Sequence, residues 1–466
     1  MTESLPTIAA ITTAPGMGAI ACIRISGKDA YNICNKIFKA KNGKQIEQQA
    51  IQSVHFGEII DNDKIFDEVL LTRFQAPHSY TGESVIEINC HGSVYIQQKI
   101  LSILLKHGAH LAKAGEFTQR AFLNGKMDLS QAEAVADLIS SSSAAAHRLA
   151  LNQMRGGFSS ELHKLRNELL DFTSLIELEL DFSEEDVEFA DRSRLKNLAI
   201  HISKIIKKLA YSFYAGNAIK NGIPVAIVGE TNAGKSTLLN FFLNEERAIV
   251  SDIHGTTRDV IEDTASIEGI TFRFIDTAGI RETHDTIESI GIERTFQKIK
   301  QASIVLWVIE ALSKLEDIKQ LAQKITEHAN GKKLIMVLNK VDLLDELEKT
   351  EKENILKQIS AESDIVLISA TLQKHTDLLL KKLVAASALP QIGENDVIVS
   401  NLRHYEALNN AYTAIIRVIE GLNTGISGDF VSQDIRECLY HLGSITGEIS
   451  NNEVLTNIFS RFCIGK

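Results

Sequence analysis

Apolar and polar positions divide this chain into four stretches of different rhythm. Up to about residue 120, short runs rich in β-branched residues, at 7–11, 19–25, 69–74 and 84–89, stand between Gly, Pro and Ser punctuation, with one helical stretch at 95–107. Runs of that length between turn residues predict strands, so this stretch reads as an α+β domain. From Ser130 to about Gly216, Gly and Pro are nearly absent. Apolar residues there recur three and four apart, as in Leu162, Leu165, Leu169, Phe172, Leu175, Ile176 and Leu180, which predicts long packed helices. The acidic side chains among them, Glu177, Glu179, Asp181, Glu184, Glu185 and Asp186, are expected in solvent.

Between about Asn221 and Ala386, apolar runs at 224–228, 271–275, 304–309, 334–338 and 365–368 alternate with amphipathic segments, the pattern of a parallel sheet built from βαβ units. Helical spacing returns from about Asp396 to the end. The predicted fold is multidomain: an α+β domain over 1–120, an all-α domain in two parts, 121–218 and 387–466, and an α/β P-loop domain over 219–386 inserted between those parts. Insertions succeed at exposed connections, which makes this the economical reading.

Composition narrows the class. A chain of 466 residues exceeds one hydrophobic core, and 44% hydrophobic with 23% charged residues is ordinary for globular domains. The longest clearly apolar run, Ile304-Val-Leu-Trp-Val-Ile309, is far short of the roughly 20 residues that span a bilayer. The N-terminus has no basic region followed by an apolar core, so the expectation is a cytoplasmic protein without membrane contact. Cys22, Cys34, Cys90, Cys438 and Cys463 show neither C-x-x-C pairing nor zinc spacing, and reduced thiols are expected. Cys463 stands where a prenylation box would start, but Gly465 and Lys466 fill its last places poorly. A net charge of −11 disfavours RNA binding without a local basic patch. The Lys-rich runs at 36–44 and 204–208 are the candidates, although such runs are usually solvated faces.

The strand at 224–228 runs into Gly229-Glu-Thr-Asn-Ala-Gly-Lys-Ser236 and then a helical Thr237-Leu-Leu-Asn, the strand–loop–helix context of a phosphate loop. Backbone N–H groups of Asn232, Ala233, Gly234 and Thr237 would converge on phosphate oxygens, Lys235 would add charge at the β and γ phosphates, and Ser236 would ligate Mg²⁺. Further elements follow in order, each at a strand tip. Asp276, Thr277, Ala278 and Gly279 would lie near the metal and the γ-phosphate. Asn339, Lys340 and Asp342 would read the base, since Asp342 accepts from guanine N1–H and the 2-amino group and adenine offers neither. Ser369 and Ala370 would complete the pocket. Between them lies Gly255-Thr-Thr-Arg-Asp259, where Thr257 is the expected Mg²⁺-ligating switch threonine. Ile280 follows Gly279 where Ras-like GTPases carry a water-orienting glutamine, leaving Glu282 as the nearest carboxylate on that segment.

The phosphate loop with Asn232, the Gly255–Asp259 switch, Asp276-Thr-Ala-Gly-Ile-Arg-Glu282 and the terminal Phe462-Cys-Ile-Gly-Lys466 closely resemble the MnmE (TrmE) family of tRNA-modification GTPases, over essentially the whole chain. Arg24-Ile-Ser-Gly27, Tyr80-Thr-Gly-Glu83, Cys90-His-Gly92 and the 115–126 segment look like family motifs too. The resemblance implies an N-terminal domain that dimerises and binds a tetrahydrofolate derivative, 5-formyl or methylene, through Arg24, Glu87, Lys126 and Lys466. It implies K⁺ held by Asn232, Ser251, Ile253 and Thr256; Lys235 and Glu282 are the catalytic candidates that the residues themselves offer. It also implies a flavoprotein partner, MnmG (GidA), in a two-plus-two heterotetramer, with flavin and nicotinamide only on that partner. Together the two would install a carboxymethylaminomethyl or aminomethyl group at C5 of the wobble uridine, U34, of certain tRNAs. Cys463 is a further candidate for chemistry on the uridine. Two rivals compete: an RNA- or ribosome-associated GTPase switch that modifies nothing, and a potassium-activated GTPase serving iron transport, which the missing membrane helices disfavour.

Overall fold

The structure is a computed structural model, and it describes residues 5–62, 64–181, 192–244, 263–275, 296–360, 363–387, 396–424, 426–450, 452–460 and 462–465. Its elements begin with β1 (Ile8–Ile11), β2 (Ile20–Ser26), α1 (Ala30–Asn35), β3 (Phe38–Ala40), β4 (Val54–Asp61), β5 (Lys64–Phe74), β6 (Val85–His91), α2 (Val94–Lys106), β7 (His110–Leu111) and α3 (Glu116–Leu123). Four helices follow: α4 (Leu129–Ser140), α5 (Ala144–Met154), α6 (Gly157–Asp181) and α7 (Arg192–Asn221). Next come β8 (Ile223–Val228), α8 (Lys235–Asn244), β9 (Asp263–Ile267), β10 (Ile270–Phe274), β11 (Ile304–Glu310), α9 (Leu315–His328), β12 (Lys333–Asn339), α10 (Glu346–Ile359), β13 (Asp364–Ile368) and α11 (Thr376–Ala386). The chain closes with α12 (Leu402–Thr424), α13 (Gly428–Thr446) and α14 (Asn452–Phe459).

Two compact units result. One comprises Met1–Ile139, Leu151–Ile206 and Glu406–Lys466; the other comprises Ser140–Ala150 and Lys207–Tyr405. In the first, a seven-stranded sheet has the order β3-β4-β5-β6-β2-β1-β7. Alternation along β2 and β6 sends Ile23, Ile25, Ile86 and Ile88 into a core with Ile100 and Leu104 of α2. It leaves Arg24 and Glu87 paired across the other face. The sequence reading expects one helix here, and the described residues form three α-helices: α1 spans six residues, too few to show a 3.6-residue period, and α3 begins with a largely polar turn. In α6, Leu162, Leu165, Leu169, Phe172 and Ile176 are all buried, as their spacing requires, and this helix packs against α13.

The second unit holds a six-stranded sheet, β13-β12-β11-β8-β10-β9. Its strands pair in parallel except β9, which runs antiparallel to β10. The five expected strands pair in parallel, and β9 is an addition to them: Asp263-Thr-Ala-Ser-Ile267 buries only Ala265 and Ile267, so this edge strand leaves no apolar run to detect. The central strands are covered on both faces, which is why they read as continuous apolar runs. Val225, Ile227, Leu306 and Val308 face α8 and α11, while Ala226, Val228, Val305 and Trp307 face α9 and α10. β8 has β11 on one side and β10 on the other, so the loop leaving its carboxyl end opens at the switch point where α/β sheets bind ligands.

Candidate functional site

The loop from Val228 to Lys235 is shaped by positions where only particular backbones fit. Gly229 has φ +148, and a Cβ there would lie 2.1 Å from the Val308 carbonyl oxygen of β11. Gly234 has φ +96, and its Cβ would lie 2.1 Å from Asn339 Nδ2. Both therefore exclude side chains, and Asn232 also takes the left-handed region at φ +67. The helix then opens with Leu238 N–H donating to the Gly234 carbonyl at 2.9 Å. Lys235 Nζ donates to the carbonyls of Gly229, at 2.8 Å, and Glu230, at 2.6 Å, folding the loop over its own side chain. Burial, and to a lesser degree the Lys298 charge, lowers the pKa of Lys235. An anionic ligand beside it would oppose both effects.

The ends of β12 and β13 meet this loop. Asn339 is buried; its Nδ2 donates to the Ala233 carbonyl at 2.8 Å, and its Oδ1 accepts from Ala370 N–H at 3.0 Å. One amide thus ties the phosphate loop to the loop after β13. Lys340 turns the chain at φ +66 and pairs with Glu310 at 2.6 Å, which starts the turn Val341–Leu343 carrying Asp342. Asp342 is exposed, and the Ser369 hydroxyl, aided by a backbone N–H and the charges of Lys374 and Lys340, holds its carboxyl below the usual range. It is an ionised, acceptor-only group at neutral pH. Ser369 is itself pinned by paired backbone bonds to Lys374 at 3.1 and 3.2 Å. Asn232, Ala233, Gly234, Lys235, Ser236, Thr237, Asn339, Lys340, Asp342, Ser369 and Ala370 therefore all lie at or just beyond the carboxyl ends of β8, β12 and β13, or in the first turn of α8, in one sheet. Ser251, Ile253, Thr256, Thr257, Asp276, Thr277, Ala278, Gly279 and Glu282 lie outside the described residues. Among the described residues, no cluster of three His, Cys, Asp or Glu suits a metal by itself.

A second polar site sits on the first unit. Arg24 Nε and Nη2 both contact Glu87 Oε1 at 2.9 Å, and the guanidinium lies 5.2 Å from the Tyr80 ring centre and 5.5 Å from that of Phe117. The loop carrying Tyr80 is held from three directions. Ser26 Oγ donates to Glu83 at 2.6 Å, Arg120 pairs with Glu83 at 3.2 Å, and Asn124 Nδ2 donates to the Thr81 carbonyl at 2.7 Å. Lys126 Nζ donates to the Pro77 carbonyl at 3.1 Å from an exposed position. Motifs more than thirty residues apart in sequence therefore converge beside Arg24. Tyr80 and Phe117 are the members that sequence reasoning missed as ring partners; both fall inside family motifs, but contact of a strand guanidinium with a loop ring and a helix ring leaves no spacing signature.

The C-terminal tail reaches the same unit. α14 packs Leu455 and Phe459, with Phe462, against Leu129 and Ala132, and Ile464 bridges to Ala114. Gly465 has φ +97, and a Cβ there would lie 2.4 Å from the Ile11 carbonyl oxygen at the end of β1. Cys463 is exposed, its carbonyl 3.4 Å from Gly115 N–H, while Lys466 lies outside the described residues. Cys90 and His91 do not form a dyad. Burial pushes the Cys90 thiol up to about 11, and His91 Nδ1 sits 2.6 Å from Asp67 Oδ1.

Residues 7–126 match the family described as GTP-binding protein TrmE N-terminus, and residues 129–463 match the MnmE helical domain. A tRNA modification GTPase MnmE from Bacteroides fragilis is 62% identical over 462 residues, 99% of each chain. Proteins of the same name from Bacteroides thetaiotaomicron and Christiangramia forsetii are 61% and 52% identical, again over 99% of both chains.

Proposed function

The chain belongs to the MnmE family of tRNA modification GTPases, and on that premise we propose that it couples GTP hydrolysis in the second unit to modification of the wobble uridine of certain tRNAs. It is a GTPase, and a nucleotide with Mg²⁺ is its ligand. The observation that carries the modification reading is the second polar site around Arg24, for which a bare nucleotide switch has no use. Its groups suit a folate: Arg24 and Lys126 can meet the carboxylates of a glutamate tail, Glu87 keeps an oxygen that Arg24 does not engage, and Tyr80 and Phe117 offer ring faces. A bound 5-formyl- or methylene-tetrahydrofolate would supply a one-carbon unit. The chain's own part is to hold that group by Arg24, Glu87, Lys126 and Lys466. Mass spectrometry of tRNA nucleosides from a strain lacking this chain tests the reading: loss of a C5-modified wobble uridine is expected, and an unchanged nucleoside profile leaves the non-modifying switch as the better account.

The same sheet face carries a case for self-association. Register places Glu87 beside Thr72, Leu70 beside Phe56 and Thr72 beside Val54, so the exposed Val54, Phe56 and Leu70 share a face with Arg24. Apolar side chains grouped on an exposed sheet face favour a partner surface. A homodimer through the N-terminal domains, joined by a flavoprotein of the MnmG kind carrying flavin and nicotinamide, is the assembly we infer, within domain bounds 1–120, 121–218, 219–386 and 387–466.

Two predictions belong to these sites. Arg24→Ala is expected to weaken 5-formyltetrahydrofolate binding, measured by calorimetry, roughly 10- to 100-fold, the size of one charge-assisted hydrogen bond. Parent-like affinity would take Arg24 out of the folate site. In the second unit we assign the charge at the β–γ bridge to K⁺ held by Asn232, Ser251, Ile253 and Thr256. Hydrolysis is expected to be about tenfold faster in KCl than in NaCl at equal ionic strength, below the 10²–10³ that a fixed donor supplies because Na⁺ fills the same place less well. Asn232→Ala should abolish the difference; a salt preference that survives it points to a basic side chain instead, with Arg258 and Arg281 first.

A further inference from the structure

The second unit carries a surface that GTP binding does not use. Helix α7 holds seven Lys or Arg and no Asp or Glu, within a chain of net charge −11. Where this helix belongs to the second unit, Lys207, Lys208, Tyr211 and Tyr214 are all exposed, and three- and four-residue spacing sets them along one stripe. Tyr211 and Tyr214 leave 68% and 63% of their surface open, with ring centres 6.5 Å apart. Tyr214 is braced from behind: Phe213 stacks on Tyr405 at 4.5 Å, and the Tyr214 and Tyr405 hydroxyls meet at 3.1 Å with the rings edge-on.

We propose that this stripe binds a single-stranded or looped element of RNA, with Lys207 and Lys208 on backbone phosphates and the Tyr211 and Tyr214 rings stacked on bases. The proposal rests on the reading of tRNA as the substrate and names where this chain grips it. An RNA strand asks for positive charge and open ring faces side by side, since every base has a π-face and every nucleotide a phosphate. Charge decides the kind of partner: these lysines lie on a helix with seven basic residues and no acidic one, within a chain of net charge −11, and the Tyr214 ring, held by Phe213 and Tyr405, gives up little freedom on stacking.

The test uses the full-length chain and the anisotropy of a fluorescein-labelled anticodon stem-loop RNA, with unfractionated tRNA as competitor, between 50 and 200 mM KCl. The double variant Lys207→Ala/Lys208→Ala is expected to lower the salt slope by about 1.4 to 1.8, two phosphate contacts' worth. Tyr211→Ala and Tyr214→Ala should each weaken binding roughly 5- to 100-fold at fixed salt, while Tyr211→Trp retains it. Melting temperatures check that the variants fold. Parent-like affinity and slope in all of them overturn the proposal. So does a loss confined to the Tyr variants with the Lys slope unchanged, which takes Lys207 and Lys208 off the phosphates, and so does a parent that binds neither RNA. None of these outcomes touches the nucleoside profile of the deletion strain, which tests the modification reading separately.

Discussion

Replacing Asp342 by Asn should move the base preference of this GTPase from guanine to xanthine. The carboxyl is kept ionised by the Ser369 hydroxyl and flanking cations, so both its oxygens accept and neither donates. Guanine offers two donors to that edge, N1–H and the 2-amino group. An amide turns one accepting oxygen into a donor that faces the 2-amino group, whereas xanthine presents a carbonyl oxygen there and restores the match. GTP affinity is expected to fall roughly 10²- to 10⁴-fold, beneath the 10⁴–10⁵ discrimination that hydrogen-bonding sites reach, with XTP binding gained in return. Because Asp342 is exposed and sits on a turn fixed by Lys340 and Glu310, the fold should survive with an unchanged melting temperature. Fluorescent GTP and XTP analogues titrated into both proteins measure the exchange. A variant that holds GTP as tightly as the parent and still rejects XTP removes Asp342 from the base pocket.

What made this site legible in the sequence was local chemistry at strand ends. A strand buried on both faces writes itself as an unbroken apolar run, so β8, β11 and β12 announce where each loop begins, and glycines at 229 and 234 are demanded by backbones that no other residue adopts there. β9 stayed hidden because this edge strand buries only two alternate residues, Ala265 and Ile267. Long-range relations were also invisible. Asn339 reads as a base-loop residue, yet its buried amide spends both ends on backbone groups, joining Ala233 to Ala370, and thereby sets the distance between phosphate loop and base pocket. In the first unit, Arg24 and Glu87 were expected as separate ligand contacts. Sheet register puts them opposite each other, and they pair. Register depends on the turn and core choices of the whole sheet, which no single motif records.

Glu282→Ala should lower hydrolysis far more than nucleotide binding. Water must be held in line with the γ-phosphorus, and the residue after Gly279, where a glutamine would do this in Ras-like GTPases, is Ile280, which has no polar group. Lys235 supplies positive charge but no acceptor for a proton, since an ammonium only donates. Glu282 is the nearest carboxylate along the same segment, and a second water can extend its reach. Positioning combined with proton acceptance is worth on the order of 10²- to 10⁴-fold, and the loss should fall on kcat in single-turnover reactions while the affinity for a fluorescent GTP analogue stays within a few fold. Glu282→Gln separates the two contributions: an amide can still orient water but accepts a proton poorly, so a rate between parent and Ala assigns the remainder to proton acceptance. If the Ala variant hydrolyses GTP at the parental rate under single turnover, the water is held by another group, and the search turns to the switch segment around Thr257.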